Sequence, residues 1–382
     1  MQSFAEKLES IQDALRKQSL DGWLLYDFRR SNPLACKLLG LDEGILLSRR
    51  FFYWIPVQGE PLKLVHRVEA HHLDHLPGKK HAYSSWRELE TQLALALQGK
   101  GRVAMEYSPR NAIPTVSRVD AGTLEVIRSF GVEVCSSADL LQRESIWTAE
   151  QLETHYYAAR VLDSAVAGAW EFIGARLAAA EAVSEYEVQQ FIISRFQEAG
   201  CVWAGDPIVA VNAHAADPHY TPSENRFAQI QKGDWVLIDL WCKRKEPRAV
   251  YADITRVGVA DSKPTERQQE IFGIVKAARD AGARLVQERF EADEPVMGWE
   301  VDQAVRDVID EAGYGEYFVH RTGHSIDTND HGDGANIDNL ETQDRRCILP
   351  GTCFSIEPGI YLPGEFGVRL EYDVFVHPDG RV

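Results

Sequence analysis

The sequence predicts an α/β (α+β) protein in two parts. A small α/β amino-terminal domain covers residues 1–147, and a larger domain over 148–382 packs helices on a mixed or antiparallel sheet. Three observations predict this. In the first part, short apolar runs alternate with helical periodicity, the pattern of a sheet covered by helices. Near residues 136–148 the chain turns polar, then opens a long alanine-rich stretch behind a capping signal. Beyond it, strand-like runs separate further capped helices. A length of 382 residues fits two or three domains. Hydrophobic content of 45% and charged content of 26% are ordinary for a globular chain.

Phe4, Leu8, Ile11 and Leu15 recur at steps of three and four, which predicts a first helix. Gly22–Tyr26 and Phe51–Ile55 are short apolar runs and read as strands, with Gly and Pro punctuating the chain after them. Val103–Tyr107 and Gly131–Val134 read as further strands. Thr148 with Gln151 forms a capping box that opens a helix over about 149–180. Ser184 with Glu187 makes a second box, for a helix that Gly200 stops near Ala199. Thr265 with Gln268 opens a third long helix, and a fourth runs from about Glu300 to Gly313. Strands are expected at Ile208–Val211, Trp235–Leu240, Val250–Val257, Cys353–Tyr361 and Val368–Val376.

Acidic residues outnumber basic ones, 58 to 41, for a net charge of −17, and no Lys/Arg block stands out. Nucleic acid and anionic membrane are therefore poor partners. The charged, amphipathic start lacks an apolar core of signal-peptide length, and no run approaches the ~18 residues of a membrane span. A cytoplasmic protein is expected. Six cysteines (36, 135, 201, 242, 347, 353) are scattered without a CxxC pair, so neither a disulfide framework nor a zinc ribbon is expected. Cys347 and Cys353 flank a Gly-Thr turn and read as buried thiols. No G-x-S-x-G elbow, phosphate loop or H-E-x-x-H is present, which leaves serine hydrolase, nucleotide-binding enzyme and zincin unsupported. His71 and His75 stand one helical turn apart, as a zinc pair would. No third ligand lies nearby, so a solvated helix face is expected.

Five segments of the second half carry polar groups where a plain sheet would be apolar. Asp239 follows Trp235-Val236-Leu237-Ile238, and Asp253 lies in Tyr251-Ala252-Asp253-Ile254. His324 follows Gly323, Glu357 precedes Pro358-Gly359, and Glu371 ends Val368-Arg369-Leu370-Glu371. An ionised carboxylate inside an apolar strand is costly unless paired or metal-bound. One such residue reads as a strand-end cap. Four together with a histidine repel one another unless cations join them, and two divalent ions would neutralise them and hold a water between.

In that order these residues resemble the pita-bread metallopeptidases: methionine aminopeptidase, aminopeptidase P and prolidase, with creatinase as a metal-free relative. Ser355-Ile356-Glu357-Pro358-Gly359-Ile360-Tyr361 and Gly367-Val368-Arg369-Leu370-Glu371 carry the resemblance most specifically. It covers about 150–382, and the first half is similar, more loosely, to the creatinase/prolidase amino-terminal domain. The resemblance implies a pita-bread catalytic domain, an Xaa-Pro dipeptidase (prolidase) activity and a homodimer. It implies that Asp239 binds one metal, that Asp253 and Glu371 bridge both, and that His324 and Glu357 hold the other. A hydroxide between the two ions would attack the bond preceding proline in a small Xaa-Pro peptide, and Glu357 would shuttle its proton. An oxygen-rich donor set suits Mn²⁺ best, and Zn²⁺, Co²⁺ and Fe²⁺ also fit.

Further positions match the family. His219 corresponds to its first histidine, His320 lies four before His324, and His331 lies seven after it, where the family contacts the scissile amide and the tetrahedral intermediate. Arg369, two before Glu371, would share its face on a strand. It would serve a substrate carboxylate, a proton relay, or a salt bridge to a ligand carboxylate. Tyr361 matches a tyrosine near the family site or packs in the core; His214 has no matching position. The hairpin between Asp239 and Asp253 is longer than the family's usual one, Asp327 stands where glycine is common, and Gly332 follows His331 where an acid is frequent. Two other activities stay open beside the dipeptidase: an aminopeptidase P acting on longer Xaa-Pro peptides, and a non-catalytic pita-bread binding module, which would be expected to have lost ligands.

Overall fold

The computed structural model describes residues 4–42 and 44–382, which form two compact units, Met1–Glu144 and Ser145–Val382.

The first unit begins with α1 (Phe4–Lys17), β1 (Gly22–Asp27) and α2 (Pro33–Leu38). Then come β2 (Phe51–Pro56), β3 (Leu62–His66), β4 (Lys79–Tyr83) and α3 (Trp86–Leu97). β5 (Arg102–Met105), α4 (Ala121–Ser129), β6 (Glu133–Ser136) and α5 (Ala138–Leu141) complete it. The strands form one mixed sheet in the order β4-β3-β2-β1-β5-β6. β1 and β2 are buried at every position, because both faces are covered. Trp23, Leu25, Tyr53 and Ile55 point into one core, while Leu24, Tyr26, Phe52 and Trp54 point into the other. This is the period-two alternation of a strand.

Three sequence expectations shift here. β6 starts two residues late because Gly131 (φ +83°) is spent on the turn after α4. β5 stops at Met105, and the fully buried Glu106 beyond it accepts hydrogen bonds from Trp23 Nε1 (2.6 Å), Asn32 Nδ2 (2.7 Å) and Ser137 Oγ (3.1 Å). His71–His75 is a run of turns rather than a helix face. There His72 lies 3.6 Å from the Glu69 carboxylate, and His75 Nε2 bonds the Leu39 carbonyl (2.8 Å).

The second unit opens with α6 (Ala149–Ala178) and α7 (Glu185–Glu198), each entered through the expected capping box. Then follow β7 (Cys201–Val202), β8 (Ile208–Val211), β9 (Trp235–Arg244) and β10 (Ala252–Val259). α8 (Glu266–Glu291), again behind its capping box, and α9 (Gly298–Glu311) precede β11 (Ser325–Ile326), β12 (Cys353–Ile356), β13 (Gly359–Leu362), β14 (Phe366–Arg369) and β15 (Tyr372–Phe375). β9 pairs with β10, β7 and β8; β12 lies between β11 and β15; β13 pairs with β14. α6 and α7 cover one face of β9–β10, while the other face shares a core with α8, α9, β13 and β14.

Both carboxy-terminal strands expected as continuous are broken. Cys353–Tyr361 divides at Glu357-Pro358, since Pro358 has no N–H for a ladder, and the halves join different sheets. Val368–Val376 divides at Leu370-Glu371, whose N–H groups turn aside to Pro358 O and Thr255 O (3.3 Å each).

Candidate metal centre

The β9–β10 hairpin sets the first two acids. On β9 the even positions Val236, Ile238, Leu240 and Cys242 pack toward α6 and α7, so Asp239 faces the other way. Antiparallel register places Thr255 opposite Asp239, and Asp253 opposite Trp241. All four therefore share one face, and Asp253 stands diagonally beside Asp239. The residues between Arg244 and Ala252 form the hairpin's tip, beyond the positions paired between β9 and β10.

Glu371 reaches this face from the break between β14 and β15. Its Oε2 accepts the Thr255 hydroxyl (2.7 Å). His324 arrives just ahead of β11, on a backbone that lies against β12: a Cβ on Gly323 would come within 2.0 Å of the Ser355 carbonyl oxygen. Its Nδ1 lies 3.2 Å from the Ser325 carbonyl, which makes Nδ1 the protonated nitrogen and leaves the Nε2 lone pair directed inward. That Nε2 is 3.4 Å from Glu357 Oε1 and 3.9 Å from Asp253 Oδ2. Ser355 ties the two segments, accepting from His324 N (3.0 Å) and donating to Glu357 Oε1 (3.0 Å).

One donor atom each from Asp253, His324 and Glu371 lie within 4.8 Å of one another. Asp253 Oδ1 and Glu371 Oε1 are buried without a hydrogen-bond partner among the described residues. Burial first, then neighbouring carboxylates, holds both acids well above the usual range. Glu357 is pushed up to about 7, chiefly by burial. Burial also drives His324 well below the usual imidazole value, so it is a neutral ligand. Buried acids facing one another with orphaned oxygens, beside an imidazole lone pair, fit divalent cations.

Arg369 is the hub on the other side. Its Nη2 pairs with Asp239 Oδ2, Nη1 donates to the Tyr361 hydroxyl (2.9 Å), and Nε donates to Thr255 Oγ1 (3.2 Å). Tyr361 in turn lies 2.7 Å from His320 Nε2, while His320 Nδ1 faces the Arg321 carbonyl (2.7 Å). Donation therefore runs Arg369 to Tyr361 to His320 Nε2. Burial lowers His320 to about 3 and raises Tyr361 to about 12, so both stay neutral at physiological pH. Gly367 lets β14 lie close against the backbone of residues 212–216, since a Cβ there would meet Ala215 O at 1.8 Å.

His331 is largely exposed, with its ring 4.2 Å from that of His324. His219 is exposed, and the carbonyl of the preceding Pro218 accepts from Arg369 Nη1 (3.4 Å), which ties this segment to the Arg369 side of the site. His214 lies outside the site, stacked on Tyr220 and bonded to Glu185 (2.9 Å). The structure adds two acids that sequence reasoning did not single out. Asp373 accepts the Asp253 N–H (2.9 Å), and Asp330 sits beside the Asp253 carboxyl. Strand parity two residues past Glu371 is a signal for Asp373; only the neighbouring His331 hints at Asp330.

Comparison with known proteins identifies the family. The model of metallopeptidase family M24 matches residues 153–378. An uncharacterized peptidase of Staphylococcus haemolyticus is 30% identical over 264 residues, 67% of this chain and 67% of that protein. The Xaa-Pro dipeptidase of Lactobacillus helveticus is 36% identical over 176 residues, 46% of this chain and 43% of its own length. Among solved structures, dipeptidase PepE of Mycobacterium ulcerans superposes with a TM-score of 0.70 at 24% identity, covering 98% of this chain and 94% of that one. The small α/β domain followed by a pita-bread catalytic domain is thus the fold observed. The match over more than half of the sequence makes the chain a member of metallopeptidase family M24, whose enzymes use divalent metal.

Proposed function

We propose that the protein is a dinuclear metal-dependent dipeptidase that cleaves the bond preceding proline in Xaa-Pro dipeptides. One observation carries the reading: Asp253, His324 and Glu371 converge with orphaned buried oxygens, with Glu357 3.4 Å from His324 Nε2 and Asp239 paired with Arg369 on the same face. The relative named as an Xaa-Pro dipeptidase supports the substrate class. Asp239, Asp253, His324, Glu357 and Glu371 would hold two divalent ions, with Mn²⁺ the best match to four carboxylates and one imidazole. When bound, such ions supply Lewis acidity and a hydroxide nucleophile at neutral pH.

The chain's own residues do the rest. Glu357, held by Ser355, takes the nucleophile's proton and returns it to the leaving nitrogen. His331 and His219, at the opening, donate to the carbonyl oxygen and to the peptide as negative charge develops. The Arg369–Tyr361–His320 chain fixes the Asp239 side of the site, and the His320 ring, both nitrogens engaged, would offer the proline end its apolar face. Proline's amide nitrogen carries no N–H, so this arrangement asks none of it.

The test is a panel of Xaa-Pro dipeptides against Xaa-Pro tripeptides with Mn²⁺, Co²⁺ and Zn²⁺. Dipeptide cleavage with little tripeptide turnover is expected, strongest with Mn²⁺. Preferred tripeptide cleavage would make the protein an aminopeptidase P, and no hydrolysis with any ion would sink the enzymatic reading. The homodimer implied by family resemblance would appear in light scattering as twice the 43.0 kDa chain mass. Among the described residues no helix is long and apolar enough to cross a membrane.

A further inference from the structure

We propose that Lys243 is a positioning residue for catalysis: from the long β9–β10 hairpin it clamps the loop that carries His331, and so sets where that imidazole meets the peptide. The assignment deepens the peptidase reading above and rests on it. Lys243 lies on β9 four residues past Asp239, so strand parity puts both side chains on one face. One step beyond the β9–β10 ladder it stands across from Tyr251, with Nζ 5.0 Å from the ring centroid. From there Nζ donates to the Thr328 carbonyl (2.5 Å), three residues before His331.

The loop needs such an anchor. The His331 side chain is 66% exposed, with its ring 4.2 Å from that of His324. At that exposure little packing fixes the imidazole, and the backbone beneath must direct it. A donor misplaced by about 1 Å can cost on the order of 10²-fold in rate. Backbone bonds tie the loop at its two ends: Tyr251 N donates to Asp327 O (3.0 Å), and Gly332 N donates to Ser325 O (2.6 Å). Between those ends Lys243 fastens Thr328 to β9. Three departures from the family pattern meet here. The longer hairpin carries Lys243, and the Asp327 carbonyl receives Tyr251 from the same hairpin. Gly332 folds back on Asp327, where an added Cβ would come within 2.8 Å of the Asp327 Cβ. Hairpin and loop are thus fitted to each other, with the lysine as their side-chain link.

Lys243→Met keeps the stem beside Tyr251 and removes the donor. On Ala-Pro with Mn²⁺ it should lower kcat about 10-fold, the worth of one hydrogen bond from a charged group, with KM changed less. Lys243→Arg, which can still reach a carbonyl, should recover part of the loss. In a His331→Ala background Lys243→Met should cost nothing further in kcat, while its effect on urea stability persists. An equal loss of kcat in both backgrounds would overturn the proposal. So would a rise in KM at unchanged kcat, which would make Lys243 a binder of the substrate carboxylate. Hydrogen exchange keeps the test independent of the bond cleaved. Amides of residues 327–333 should exchange several-fold faster in Lys243→Met than in wild type, and equal rates would overturn the clamp. Absence of Ala-Pro hydrolysis by the wild type would count against the peptidase reading, and the exchange rates would then decide the clamp by themselves.

Discussion

Replacing Arg369 separates its two roles. Arg369 is buried and already engaged by Asp239, Tyr361 and Thr255, so its first task is to balance Asp239 rather than to await a substrate carboxylate. Arg369→Met would leave a buried carboxylate without its cation, which costs about 3–5 kcal/mol in metal-free protein. With divalent ions at Asp239 that charge is compensated. The remaining cost is the hydrogen bonds to Tyr361 and Thr255 and a longer one to the Pro218 carbonyl, about 2 kcal/mol together. Arg369→Lys keeps the charge but not the fork, and should lose about 2 kcal/mol in either state. Urea unfolding with and without chelator measures all three values, and metal titration should show weaker binding in Arg369→Met. A cost in Arg369→Met below 1 kcal/mol without metal would refute the reasoning. So would unchanged metal affinity with a large rise in KM for dipeptides, which would return Arg369 to the substrate carboxylate.

Asp253→Asn and Glu371→Gln should each abolish hydrolysis while leaving the circular dichroism spectrum native; activity within tenfold of wild type at saturating Mn²⁺ would refute the dinuclear assignment. His331→Ala should lower kcat on the order of 10²-fold with a smaller change in KM and unchanged metal content, as when one oxyanion donor is lost; near-normal kcat would remove it from the mechanism. In the amino-terminal unit, burial raises Glu106 to about 7 from an ordinary 4.5. Stability carried by its protonated form is complete below about pH 4.5 and lost as pH rises through 7, a fall of about 3 kcal/mol. Wild type should show that fall relative to Glu106→Gln, and parallel stability–pH curves for the two would contradict it.

The acids of the site were legible because a carboxylate set among apolar strand residues is a local anomaly. Asp239 and Asp253 announce themselves within a few residues of chain. Helix entries at Thr148, Ser184 and Thr265 were legible for the same reason, since a capping box spans only four positions. What escaped depends on contacts distant in sequence. Thr255, Ser355 and Asp373 matter because of what register and strand breaks set beside them. The breaks at Glu357-Pro358 and Leu370-Glu371 leave no local mark, because apolar residues continue on both sides and nothing nearby says that the halves join different sheets. The polar strand β4 gave no hydrophobic pattern to read, with only Tyr83 of its five residues fully buried. His71 and His75 misled in the opposite sense: a spacing of four carries meaning only where a helix exists.

The β9–β10 hairpin holds its two acids by parity. What matters is that Asp239 and Thr255 are opposite and that Asp253 is an even step away; the number of residues between Arg244 and Ala252 does not enter. The turn is therefore a module that can be lengthened, trimmed or replaced while the centre keeps its shape, provided the ladder is not slipped by one. The acids and the turn thus lie on separately mutable stretches of one ribbon. A lineage could edit the tip without moving the acids, and so without passing through an ancestor whose centre had lost its shape.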